Sequence, residues 1–231
     1  MHLGSGGINY EYVMNGQKLE IIDSEKDLGV VLTSDMKSGD QCRQAYSRAN
    51  KMLGLVSRVV RHRDPVLLLR LYKSLVRPHL EYAVSSWSPH YVKDRALLER
   101  VQHRFTRLFK DLRELDYRDR LGVLNLWTLE ERRNRADLIE VFKMARGLTD
   151  VCLDEFFKLA EPGPTRGHTL KLMKGHCKRD VRLHFFSSRV VNRWNKLPQE
   201  VVDASSVNAF KNGLDRLRKC QMGFFMDSVS A

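Results

Sequence analysis

The 231-residue chain has few cysteines, no long apolar run and none of the common catalytic signatures, and each lack narrows what it does. Its four cysteines (Cys42, Cys152, Cys177, Cys220) are widely spaced with no CxxC pair, which suits a reducing compartment. His168, His176 and Cys177 share one basic loop, but adjacent residues do not easily ligate one ion, so no metal site is expected. The longest unbroken apolar stretch is residues 66–69, far short of a membrane span. The first ten residues hold no apolar core of a secretory signal, so the expectation is an intracellular chain, nuclear or cytoplasmic, without membrane contact. There is no P-loop, GxSxG or HExxH, and no Asp-Asp step to hold Mg²⁺ for phosphoryl transfer. Neither catalysis by this chain alone nor a resident cofactor is expected.

What the chain does have is positive charge. A hydrophobic fraction of 42% with 9% aromatics is globular, and the net charge is +12 with a pI near 9.7. Residues 1–40 carry three lysines against seven acids, −4, which leaves +16 for the remainder. Such an excess favours a polyanionic partner, the plain alternative being a solvated basic surface.

The chain opens on strand signals. Tyr10 to Met14 and Lys18 to Ile22 flank Asn15-Gly16, the dipeptide that best tolerates a type I′ turn. A third strand, 28–33, is expected after an acidic turn at 23–27, and three strands leave open edges for self-association. From Ser38 the period turns helical. Cys42, Ala45, Tyr46, Ala49, Met52, Leu53 and Val56 form one stripe, with Arg43, Arg48, Lys51 and Arg58 off it. Asp64-Pro65 starts a second, largely apolar helix.

Pro78 and Pro89 bracket the stretch the fold is organised around. Each proline pushes the preceding residue out of the α region, and Leu80, Ala83, Val84 and Trp87 between them fit one helical stripe. Asp94 is expected to cap the next helix, which buries Leu97, Leu98, Val101, Phe105, Leu108, Phe109 and Leu112 and exposes Arg100, His103, Arg104, Arg107 and Lys110. That second face suits phosphates. Thr128-Leu129-Glu130-Glu131 is a capping box. Residues 161–180, with Arg166 and Lys171, read as a basic flexible boundary, and 181–185 as a short strand. The last helix starts near Ser206, with a frayed tail after Cys220. The tryptophans, Phe185 and Phe186 follow apolar periodicities and are expected in the core rather than stacking bases.

Eight motifs occur in a characteristic order. They are Asp27-Leu28-Gly29-Val30, Arg77-Pro78-His79-Leu80-Glu81-Tyr82, Trp87-Ser88-Pro89 and Leu98-Glu99-Arg100-Val101-Gln102, then Tyr117-Arg118-Asp119-Arg120-Leu121, Leu129-Glu130-Glu131-Arg132-Arg133, Thr165-Arg166-Gly167-His168 and Trp194-Asn195-Lys196-Leu197-Pro198. Together they resemble the C-terminal part of a non-LTR (LINE, jockey-like) retrotransposon reverse transcriptase, over about residues 1–217. The resemblance implies a mainly α fold: a helical thumb-like bundle and C-terminal helices, preceded by a small antiparallel β-hairpin or three-strand piece.

It further implies residues 1–36 as the end of the palm, 37–160 as a thumb gripping template–primer, and 161–231 as a basic C-terminal segment. Leu28, Gly29 and Val30 would lie near the primer grip. Arg43, Lys51, Arg58, Arg61, Arg100, Arg104, Arg107, Arg166 and Lys171 are the expected phosphate contacts, with RNA, DNA or an RNA–DNA hybrid as partner. The fingers and the metal-binding palm would precede Met1, so Mg²⁺ would belong only to that missing part. A helical protein-interaction module is the alternative. A helix-turn-helix on residues 64–90 fits poorly, because a buried Trp87 leaves few side chains for base edges.

Overall fold

The structure, a computed structural model, describes residues 1–3, 10–60, 64–161 and 167–227. The chain is mainly helical, with small antiparallel strand pairs near its start, as expected. It divides into two compact units: Met1–Ala83 with Trp87–Leu126, and Val84–Ser86 with Trp127–Ala231. This division differs from the expected boundary after residue 160.

In the first unit the β piece is two separate hairpins, not one hairpin plus a third strand. β1 (Val13–Met14) pairs with β2 (Gln17–Lys18) across Asn15-Gly16, both at positive φ, as the dipeptide requires. The acidic run expected as a turn is strand β3 (Ser24–Asp27), paired with β4 (Val30–Thr33). Leu28 (φ 44°) and Gly29 (φ 89°) make the turn. A leucine rarely takes positive φ, which is why the sequence hides this turn.

Helix α1 (Gly39–Val59) buries Cys42, Ala45, Ala49, Leu53 and Val56, the expected stripe. Gln41, at its start, accepts a 2.9 Å hydrogen bond from the Val31 amide and so ties β4 to the helix. Helix α2 (Pro65–Leu71) is capped by the Asp64 carboxylate, which accepts from the Leu67 amide.

α2 then widens into a π turn, Tyr72–Val76, where Arg77 donates to the Tyr72 carbonyl at 2.9 Å. That wider turn corrects one expectation. Arg77 stays helical (φ −61°, ψ −35°) directly before Pro78, because an i to i−5 bond relieves the ladder just where proline lacks its donor.

α3 (Pro78–Glu81) and α4 (Val84–Trp87) are likewise not one helix. Ala83 adopts a left-handed conformation (φ 48°) and is exposed. The Tyr82 carbonyl accepts from the Trp87 indole instead, at 2.8 Å. Leu80, Val84 and Trp87 are still buried.

Helix α5 (Val92–Thr106) is capped at Tyr91, so Asp94 lies buried within its first turn rather than capping it. Its inner face buries Leu98, Val101 and Phe105, whose ring stacks on Tyr72 at 4.0 Å. A 3₁₀ turn (Lys110–Leu112) and α6 (Tyr117–Val123) follow.

In the second unit α7 (Leu129–Ala145) opens with the expected capping box, Thr128 and Glu131 bonding each other's backbone. α7 packs against α13 (Val207–Cys220), where Phe142 stacks on Phe210 at 4.2 Å. α8 (Leu153–Phe156), α10 (Phe186–Arg189), α11 (Val191–Trp194) and α12 (Gln199–Val202) are single turns around the same core, and α9 (Asp180–Leu183) is a further, exposed single turn. α9 replaces the short strand expected at 181–185, and Val181 and Leu183 are exposed rather than alternately buried.

The described part of the expected flexible boundary is pinned. The Trp194 indole donates to the Leu170 carbonyl at 2.7 Å, and the Asn195 amide bonds both backbone groups of Leu172. The described part of the tail after Cys220, to Asp227, is anchored too. Phe225 is 1% exposed, and the carbonyls of Phe224 and Phe225 accept from Arg193 and Asn134.

Candidate nucleic-acid interface

The site belongs to the first unit and is built on the pairing of α1 with α5. Ala45 and Ala49 on α1 are fully buried, and side chains this small allow close helix approach. With both apolar stripes turned inward, the cations are left on the outer faces. Arg100, Arg104 and Arg107 fall at i, i+4 and i+7, one row spanning about 10 Å. Arg104 donates to the Asn50 Oδ1 at 2.6 Å, so this row is joined to the polar edge of α1.

Arg100, His103, Arg104 and Arg107 line an open groove of about 400 Å³. Among the described residues neither Arg100 nor Arg107 has an ion-pair partner. The groove is therefore a cationic surface whose charge the fold does not neutralise. That is what a phosphate ligand needs.

His103 gives the groove a ring. Its imidazole stacks on Tyr117 of α6, with centroids 3.5 Å apart and planes at 18°. The Tyr117 hydroxyl donates to the Glu99 carboxylate and accepts from Gln102 at 3.1 Å, and Gln102 accepts from the buried Tyr72 hydroxyl at 2.7 Å. Burial, and then the guanidinium groups of Arg120 and Arg107, hold the His103 pKa below its ordinary value. His103 is thus neutral at pH 7, a flat uncharged ring among three guanidinium groups.

The other expected contacts are dispersed. Arg43 is turned back onto Asp40 in an exposed ion pair on its own helix. Lys51 is exposed, and exposed Arg58 donates to the Gly54 carbonyl on its own helix. Arg61 and Arg166 lie outside the described residues. Lys171 belongs to the second unit.

Leu28 and Gly29 form a hairpin tip, with Leu28 84% exposed and Val30 buried. The Tyr82 hydroxyl donates to the Leu28 carbonyl at 2.9 Å, joining two of the motifs that carry the family resemblance. Asn50 and Tyr117 complete the groove from outside the arginine row. A mid-helix asparagine and a tyrosine in an arginine-rich motif carry no signal of a tertiary partner.

The histidine and cysteine candidates have other engagements. His168 is 2% exposed, with Nε2 2.9 Å from the Trp194 carbonyl, and the Cys177 Sγ lies 3.5 Å from the Ser188 hydroxyl. Trp87, Trp194 and Phe186 are core residues, as their periodicity predicts. Trp127 is covered by the guanidinium groups of Arg135 and Arg218, at 5.2 and 4.7 Å from its ring centroid. Among the described residues no helix is long and apolar enough to cross a membrane. No family model, curated protein or solved structure matches the chain.

Proposed function

We propose that the chain is a nucleic-acid-gripping part of a retroelement reverse transcriptase, contacting template–primer through its phosphates and acting inside the cell. The observation that carries this reading is the unneutralised row Arg100, Arg104 and Arg107, fixed to α1 through Asn50. The ordered motifs supply the polymerase family, and the helical groove supplies the chemistry of contact. Binding would read shape and backbone more than base sequence. The chain in this reading is not catalytic by itself, since the paired aspartates of the palm are not among its residues.

The test is charge reversal. Arg100→Glu with Arg104→Glu and Arg107→Glu is expected to weaken RNA–DNA hybrid binding by about a hundredfold or more at low salt. Unchanged binding would sink the reading.

A second reading, a helical protein-interaction module, is favoured by one observation. Tyr12, Val13, Met14 and Ile21 are all more than half exposed around the first hairpin. A partner that binds the triple variant as well as the native chain would support that module instead.

A further inference from the structure

A surface that only follows phosphates needs cations, yet the α5 groove also contains a ring held in place from behind. His103 lies between Arg100 and Arg104 on α5, and its stack on Tyr117 fixes the ring plane. Tyr117 is in turn fixed by hydrogen bonds with Glu99 and Gln102. An uncharged imidazole adds little to phosphate attraction. A supported flat ring instead offers one side to another flat ring, and every nucleobase has a π face. The groove, about 400 Å³ in volume, is within the size range of small-ligand sites.

We propose that this groove takes a single unstacked nucleotide of a nucleic-acid strand, with its base against the groove side of His103. Its phosphates lie on Arg100, Arg104 and Arg107. The proposal rests on the nucleic-acid reading above and adds to it a binding mode that a paired duplex does not use. Because stacking ignores hydrogen-bonding edges, the site is indifferent to base identity.

The experiment compares a short single-stranded oligonucleotide with its abasic counterpart, by fluorescence anisotropy at fixed salt. The native chain is expected to prefer the base-bearing strand by roughly tenfold, a typical stacking gain for one base. His103→Ala removes that preference while affinity for the abasic strand stays within about twofold, since the phosphate contacts remain. His103→Phe keeps the preference and guards against a folding defect in the alanine variant. Equal binding of both strands by the native chain overturns the stacking proposal alone. Failure to bind either strand while an RNA–DNA hybrid still binds overturns the single-nucleotide site alone, and failure to bind the hybrid as well overturns the nucleic-acid reading together with it.

Discussion

The Arg104 guanidinium and the Asn50 amide oxygen lie 2.6 Å apart, although 54 residues separate them in sequence. This bond links the two basic helices at the rim of the groove and fixes one arginine of the row. Asn50→Ala leaves Arg104 charged but loosely placed. It should weaken hybrid binding by about three- to tenfold, the cost of one charge-assisted hydrogen bond at a partly solvated site. Melting should shift little, because neither residue belongs to the apolar core. Anisotropy and thermal unfolding on the same sample check both halves.

Two glycines should respond in opposite directions to alanine. Gly29 has φ 89°, and an added Cβ would lie 3.1 Å from the Tyr82 ring. Gly29→Ala should therefore cost about 1–2 kcal/mol through backbone strain and the crowded tyrosine. Gly54 lies inside α1, with nothing within 4 Å of an added Cβ. Gly54→Ala should stabilise by about 0.5–1 kcal/mol. Urea titration of both variants measures the contrast, and equal signs would contradict the turn geometry.

In the second unit, Asp137 has a side chain only 1% exposed and accepts two bonds from Arg189, at 2.8 and 2.9 Å. Burial pushes its carboxyl up from the usual carboxylate range, and Arg189 opposes that. Asp137→Ala strands the guanidinium, which also donates to the Ser85 and His184 carbonyls. The expected loss is about 3–5 kcal/mol, the usual cost of breaking a buried pair on one side. Nucleic-acid binding by whatever remains folded should be unaffected, because none of these groups lines the groove.

Stability should fall as the solution is acidified from pH 7 to 5. His103 and His168 both have pKa values lowered in the fold, mainly by burial. Below the unfolded value of about 6.5 the unfolded chain binds more protons than the folded one, so acid favours unfolding. Their stabilising share is complete above that pH and is lost as pH falls toward the folded pKa values. Asp137 is shifted upward and opposes the trend, so variants are needed to isolate the histidine share. His168→Gln, which keeps a donor for the Trp194 carbonyl, should flatten the pH dependence of the urea midpoint. A pH dependence unchanged in His168→Gln would contradict the burial of that ring.

Helix patterning was legible wherever one apolar stripe faced one core. The α1 stripe, the Thr128 capping box and the Ser206 start of α13 all follow from local chemistry. Several misses come from a hydrogen bond that the local pattern does not announce. Leu28 takes a left-handed turn that ends with Tyr82 bonded to its carbonyl. Ala83 breaks a continuous stripe where the Trp87 indole bonds the Tyr82 carbonyl. Residues 167–172 look like linker because their backbone partners, Trp194 and Asn195, lie more than 20 residues away. Of the expected phosphate contacts, the row on α5 was visible as helical spacing. That Arg43 pairs with Asp40, and that His103 rests on Tyr117, are relationships that helical spacing does not carry.

The central claim is that this chain grips nucleic acid through phosphates, and salt dependence tests it most directly. An RNA–DNA hybrid titrated by anisotropy at several salt concentrations should give log affinity against log salt with a slope near −4 to −5, for about six neutralised phosphates. No binding at low salt, or an affinity that does not change with salt, would contradict it.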